Sequence, residues 1–123
     1  MTELTTAHVE YLASQRLGRL ATAGADARPH VVPTSFRYNP DTGTVDMGGL
    51  HVATTKKYRD VQVNGWAALC VDDLVSVDPW RARFLEIRGR AEAVPSGGAA
   101  LGPGFGEAFI RLHPEKVNSF GLE

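Results

Sequence analysis

What this chain lacks narrows it first. It has a single cysteine, Cys70, among its 123 residues, so no internal disulfide can form, and one thiol suits a reducing compartment. It has almost no net charge: 13 lysines and arginines stand against 14 aspartates and glutamates, leaving -1. No overall basic field therefore draws it to nucleic acid or to an anionic membrane. No stretch approaches the roughly 18 consecutive apolar residues of a membrane-spanning helix. The opening MTELTTAHVEYLASQ has neither the basic start nor the apolar run of a secretory signal. The expectation is a cytoplasmic protein. The histidines, His8, His30, His51 and His113, are scattered without ligand spacing and have no cysteine cluster beside them, so no metal site is expected. No internal repeat is present.

What is there reads as one globular domain, 1–123. Hydrophobic content of 43% with 22% charged residues excludes a disordered chain, and the length suffices to bury a core without staples. Thr5 and Thr6 cap a short helix running to about Ser14, with Ala7, Tyr11 and Leu12 on one face. Leu17–Thr22 reads as a first strand, and Pro29–Tyr38, rich in β-branched and aromatic residues, as a second. Pro33 inside it demands a free N–H side, a bulge or an edge. Asn39-Pro40-Asp41-Thr42-Gly43 is a turn, and Thr44–Gly48 returns as a third strand. Trp66–Val71, apolar on both faces, reads as a buried strand that ends at Asp72 and Asp73, two turn-capping carboxylates. Cys70 within it reads as an inert packed thiol. Arg83–Val94 alternates: Leu85, Ile87, Ala91 and Ala93 point one way, and Glu86, Arg88, Arg90 and Glu92 the other. Pro95–Gly106 is glycine-rich and reads as a flexible loop. Phe109–His113 fits a helix or a strand equally well. Short strands, frequent turns and one central helix point to a mainly β, antiparallel barrel, whose closure removes aggregation-prone edges.

The central helix carries the chemistry. In TTKKYRDVQVNG, Thr54–Gly65, two threonines precede Lys56 and Lys57, and Asn64-Gly65 closes the run. The first N–H groups of a helix have no internal acceptor, and the helix dipole makes that end positive. Two lysines there oppose the dipole unless an anion joins them, which makes the stretch a phosphate site in waiting; a solvated charged face is the plain alternative. Arg59 either joins that site or pairs with Asp60 or a distant carboxylate. His30 and His51 lie beside these segments and read as surface histidines rather than ligand contacts.

TTKKYRDVQVNGWAALCVDD resembles the phosphate-binding helix and following strand of the pyridoxamine 5'-phosphate oxidase-like flavin and deazaflavin reductases. LGRLATAGADARPHVVPTSFRY is similar to that family's opening hairpin, DPWRARFLEIRGRAEAV to its long barrel strand, and FIRLHPEKVNSFGLE to its closing strand. Each motif alone is weak; their order and spacing over Leu17–Glu123 are fairly specific. The resemblance implies a split β-barrel of the FMN-binding type, working as a homodimer with the cofactor in a groove between subunits. It implies a phosphate on Thr54, Thr55, Lys56 and Lys57, and a ring system against Val32, Pro33, Thr34 and Ser35. It also implies that the segment from Phe109 is a strand. Trp80 then either reaches the partner's cofactor or serves as an exposed dimer contact.

Three departures bear on this. Ala27 stands where the family usually has a turn glycine, so a different turn geometry is expected. Phe120 stands where tryptophan is common. The second strand has no cation before Arg37, where FMN-using members carry a phosphate-gripping arginine. The glycine-rich loop is also short beside relatives that have a helix there. Together these lean towards coenzyme F420, with FMN as the alternative. The implied activity is hydride transfer between reduced F420 and a small electron-poor substrate, with no catalytic side chain required because the cofactor carries the chemistry. The alternative class is a non-catalytic binder of haem, another tetrapyrrole or a flavin-like ligand.

Overall fold

The alternation in Arg83–Val94 belongs to a longer strand, β5 (Trp80–Val94). Leu85 and Ile87 are fully buried and Ala91 nearly so, while the alternating Arg88, Arg90 and Glu92 are exposed and Glu86 is half-buried. The strand is thus a wall with one inner face. It pairs antiparallel with β4 (Trp66–Val77) on one edge and with β6 (Phe109–Phe120) on the other. With β1 (Leu17–Ala23), β2 (Pro29–Asn39) and β3 (Thr44–Met47), these strands close an antiparallel barrel in the order β1-β2-β3-β6-β5-β4. The helices are α1 (Thr6–Ser14) and α2 (Lys56–Val63). This computed structural model describes residues 2–122. The fold is the expected mainly β split barrel, and the segment from Phe109 is a strand. Among the described residues no helix is long and apolar enough to cross a membrane.

The barrel interior is filled by Leu20, Met47, Leu69, Ile87, Ile110 and Leu112, all at 0% exposure. Each side chain of this kind contributes about 1.5–3 kcal/mol on burial. At Gly89 the β5–β6 register shifts, and a Cβ there would stand 1.9 Å from the His113 carbonyl oxygen. Only glycine lets the two backbones close at that bulge. One charge is taken wholly inside. Asp46, at 0% exposure, accepts both arms of the Arg111 guanidinium at 3.0 and 3.1 Å, together with Asn39 and Thr44 at 3.0 Å each. α1 begins at a capping box, in which Thr5 Oγ1 accepts from the His8 N–H and Thr5 N–H donates to His8 Nδ1.

Several local expectations are corrected. β4 is not buried on both faces: Ala67, Leu69 and Val71 point inward, but Trp66 is 58% exposed and Ala68 and Cys70 are half-buried. A barrel strand has a single inner face, and this outer face is open. Burial, and then the carboxylates of Asp72 and Glu86, push the Cys70 thiol above its ordinary pKa, as suits an unreactive sulfur. Asp72 and Asp73 cap no turn. Both lie within β4, Asp72 paired with Arg19 at 3.0 Å and Asp73 with Arg83 at 2.7 Å, because β4 runs on to Val77. The Pro95–Gly106 segment is largely exposed, as a loop is, but it is tied at several points. It forms a 3-10 turn at Gly98–Leu101, its Gly106 N–H donates to Gly49, and Leu101 accepts from Arg37. Phe105 covers Gly48, where a Cβ would come within 2.5 Å of the ring.

The turn between β1 and β2 does not avoid a glycine-like backbone. Ala27 sits at φ 60 in the left-handed region. For an L-residue that conformation costs roughly 1–2 kcal/mol, while glycine would lose about 0.5–1 kcal/mol through its freer unfolded chain. Ala27→Gly is therefore expected to raise unfolding free energy by about 0.5–1 kcal/mol in urea titrations. A loss of stability would show that alanine is not strained there.

Candidate functional site

The chain leaves β3 opposite Phe36 and passes through a 3-10 turn at Val52–Thr54 before entering α2. Thr55 is the N-cap: its Oγ1 accepts from the Tyr58 N–H at 3.4 Å and donates to the Val52 carbonyl at 2.6 Å. The helix thus begins at Lys56 rather than Thr54. Thr54 belongs to the preceding turn, and its hydroxyl donates to His51 at 2.8 Å. Both threonine protons are committed to backbone carbonyls, so the hydroxyls shape the entry instead of offering donors. The first-turn N–H groups of Lys56 and Lys57 have no intrahelical acceptor.

The lysines divide. Lys56 Nζ lies 2.9 and 3.1 Å from the two carboxylate oxygens of Asp60. Asp60 is only 5% exposed and also accepts Thr22 Oγ1 at 2.9 Å. Burial alone would raise this carboxyl, but the bonds from Lys56 and Thr22 outweigh it and hold the pKa below the ordinary value. Arg59 does not pair with Asp60. It is exposed, and its Nη1 donates to the Thr54 carbonyl at 2.9 Å, since Asp60 faces β1 and Arg59 faces away. Lys57 is half-buried, and no carboxylate pairs with it among the described residues. Burial lowers the pKa of its ammonium. A desolvated cation beside open N–H groups is a seat for an anion.

His30 is not the surface residue expected. It is half-buried across from Thr22, and its Nδ1 is a buried side-chain atom without a partner among the described residues. Asp60, Thr22 and His30 were thus missed as neighbours of the lysines. Asp60 had a signal in the sequence, since it stands four residues after Lys56 and so on the same helix face.

The four β2 residues split between faces, as a period of two requires. Val32 and Thr34 point inward, with Thr34 at 6% exposure, while Pro33 and Ser35 are exposed outside. β2 pairs with β1 along Pro29–Ser35 but with β3 only from Phe36 onward. Among the described residues nothing pairs with its other edge at Pro33, which answers the proline's demand. Outside the barrel a ligand there meets backbone groups and the side chains of Pro33 and Ser35. The strand's arginine, Arg37, is tied to Leu101.

Trp80 stands apart from all of these. It is 69% exposed at the tip of the β4–β5 hairpin, paired with Val77. The C-terminal end of α2 meets β5 where the Ala91 N–H donates to Gly65. At about 3.3 Å per residue, Trp80 lies roughly 36 Å along the strand from that point. The fold therefore brings Thr54, Thr55, Lys56 and Lys57 together, sets Val32–Ser35 on a free edge, and leaves Trp80 at the far end of the molecule.

Comparison with known proteins bears on what this arrangement serves. A family model described as pyridoxamine 5'-phosphate oxidase matches residues 4–119. A 5a,11a-dehydrotetracycline/5a,11a-dehydrooxytetracycline reductase from Streptomyces rimosus subsp. rimosus is 38% identical over 119 residues, covering 97% of this chain and 84% of its own. Among solved structures, an FAD-binding protein from Mycobacterium smegmatis superposes with a TM-score of 0.71 at 22% identity, covering 98% of this chain and 97% of that one. The haem storage protein HutZ from Vibrio cholerae gives 0.70 at 20% identity, covering 98% and 95%. At such identities these two establish the fold alone.

The Asp60 carboxyl has a lowered pKa when folded and an ordinary one when unfolded. Its stabilisation is therefore complete above the ordinary carboxylate pKa and is lost as pH falls through the lowered value. Asp60→Asn should lower the melting temperature at pH 7, and the gap to the unmodified protein should narrow progressively on acidification. A gap independent of pH would show that the pair does not stabilise the fold through its charge.

Proposed function

The chain belongs to the pyridoxamine 5'-phosphate oxidase family, and we propose that within it this protein is an F420-dependent reductase acting on a small electron-poor substrate. The Streptomyces reductase, alike over nearly the whole chain, supports an oxidoreductase. The observation that carries the choice of cofactor is where uncompensated positive charge lies. Lys57 is half-buried and unpaired at the start of α2 among the described residues. β2, by contrast, carries no lysine or arginine before Arg37. An FMN phosphate gripped from the second strand has no partner there, whereas a phosphate at the helix start does.

In this reading the phosphate rests on the N–H groups of Lys56 and Lys57 and on the Lys57 ammonium. Asp60 holds Lys56 against the first turn. Thr54 and Thr55 keep the entry to the helix rigid through their carbonyl bonds. The ring system lies along the free edge of β2 beside Pro33 and Ser35, with Val32 and Thr34 contributing backbone only. Bound there, reduced F420 supplies the hydride; the chain binds, orients and shields it, with no side chain acting as acid or base. The protein is a homodimer in this reading. Trp80, remote from its own lysines, then serves the cofactor held by the partner, and the groove is complete only with both chains.

A fluorescence titration with F420, run in parallel with FMN and haemin, tests this. A charge-assisted hydrogen bond contributes about 1.5–3 kcal/mol, so Lys57→Ala should weaken F420 binding roughly tenfold to a hundredfold. Lys56→Ala should cost less, because that ammonium already serves Asp60. Affinity should also fall as pH rises through the lowered Lys57 pKa. Tighter binding of FMN or haemin than of F420, or an unchanged affinity in Lys57→Ala, would overturn the assignment.

A further inference from the structure

The Asp60 carboxylate has one neighbour that it does not bond. It accepts Thr22 Oγ1 at 2.9 Å and Lys56 Nζ at 2.9 and 3.1 Å. Gly24, in the β1–β2 turn, closes over the same group: a Cβ there would stand 2.9 Å from Asp60 Oδ1. The unbonded neighbour is His30. It is the cross-strand partner of Thr22, and directly opposed residues keep their Cβ atoms roughly 4.5–5.5 Å apart. The ring therefore stands beside the carboxylate that Thr22 holds. Its buried Nδ1 has no partner among the described residues.

The two members of the lysine pair differ in freedom. The Lys56 side chain is 49% exposed and that of Asp60 only 6%. The lysine can swing out to a ligand, and the carboxylate cannot follow it. Left with Thr22 alone, Asp60 would be a buried charge without a counter-charge, which a folded chain tolerates poorly. Burial raises the Asp60 carboxyl, the bonds from Lys56 and Thr22 lower it, and charge on the His30 ring lowers it further. A second cation is thus within electrostatic reach of Asp60, and it exists only when the imidazole takes a proton.

The other charged groups nearby are engaged elsewhere. β1 presents the uncharged Thr22 to His30, and α2 presents Asp60 with its lysine. In the β1–β2 turn, Asp26 and Arg28 pair with each other at 3.8 Å on the surface. Farther along α2, Arg59 is held at the Thr54 carbonyl. Lys56 and His30 are therefore the two groups placed to neutralise Asp60, one from each side.

We propose that His30 is a positioning residue for the anion seat: an anion at the start of α2 draws Lys56 off Asp60, and His30 Nδ1 takes a proton from solvent and becomes the counter-charge in its place. The neutral ring carries its proton on Nε2 and a bare lone pair on Nδ1. Protonated at Nδ1, it is the charged donor that the buried carboxylate requires. Anion binding and proton uptake are thereby linked, so affinity rises as pH falls through the imidazole range. The proposal rests on the phosphate reading of the helix start for its anion; the competition of Lys56 and His30 for Asp60 is present in the chain without ligand.

The test uses the full chain with and without cofactor. Without it, NMR follows the ring titration of His30, assigned by its loss in His30→Gln. Lys56→Met should move the midpoint up by about one pH unit, because Asp60 then falls to the imidazolium. The same lysine substitution in an Asp60→Asn chain should leave the midpoint in place. A midpoint unmoved by Lys56→Met overturns the proposal. So does a rise that persists without Asp60, which would be plain relief from a nearby cation. With F420, calorimetry in buffers of different ionisation enthalpy counts the protons taken up on binding. Near neutral pH the unmodified chain should take up a fraction of a proton more per ligand than His30→Gln, a difference from which the ligand's own protons cancel. Its affinity should gain up to about tenfold more on acidification than that of the variant, the limit set by a one-unit shift. Equal proton uptake in the two chains overturns the proposal, and this arm decides by itself if Lys56→Met does not fold. An unmoved midpoint with F420 bound defeats the exchange alone. A moved midpoint with no F420 binding defeats the cofactor assignment and leaves the exchange standing.

Discussion

β5 pairs with β4 on one edge from Trp80 to Arg90 and with β6 on the other from Phe84 to Val94, and both ends of the molecule take their position from that overlap. Towards Val94 the wall is doubly paired, its inner face fills the core, and α2 docks at Ala91. Towards Trp80 the pairing with β6 runs out at Phe84, and the β4–β5 hairpin continues alone to Val77 and Trp80. The stagger between the two ladders is what leaves the hairpin tip unpaired by β6 while the other end of β5 is paired on both edges. Gly89 is the joint: without its missing Cβ, the β5–β6 ladder could not shift register and still close.

Charge is distributed on the same logic of commitment. Arg111, Arg83 and Lys56 are each bound by a buried or half-buried carboxylate, Asp46, Asp73 and Asp60. Hydrogen bonds that satisfy such carboxylates offset the cost of taking them from water. These pairs tie β6 to β3, α1 to the β4–β5 hairpin through Tyr11, and α2 to β1 through Thr22. Lys57, half-buried at the helix start, has no such carboxylate among the described residues and sits beside open helix N–H groups. In a chain of almost neutral net charge, local accounting of cations is more informative than the total.

Much of this was legible in the residues. The inward set of β5, the turn at Asn39–Gly43, the capped first helix and the helix opening on two lysines all follow from local rules of period, propensity and capping. Pro33 narrowed its place to a free N–H side, a bulge or an edge, and the structure gives it a free edge among the described residues. Asp60 stood at helical spacing from Lys56 and was readable as its partner. The strand nature of Phe109–Phe120 was not, because Phe109, Ile110 and Leu112 satisfy both periods, and only pairing with β3 and β5 decides between them.

By itself the sequence determined a run of short alternating strands that points to an antiparallel barrel, a cationic helix start and a second strand without a cation before Arg37, because each of these rests on neighbours along the chain. Tertiary structure alone decided that Asp60 is buried against Thr22, that His30 is half-buried, that Arg37 reaches Leu101, and that Trp80 stands at the exposed tip of the β4–β5 hairpin. Those outcomes depend on strand register and stagger, which join residues such as Thr22 and Asp60, or Phe84 and Phe120, that are distant in sequence.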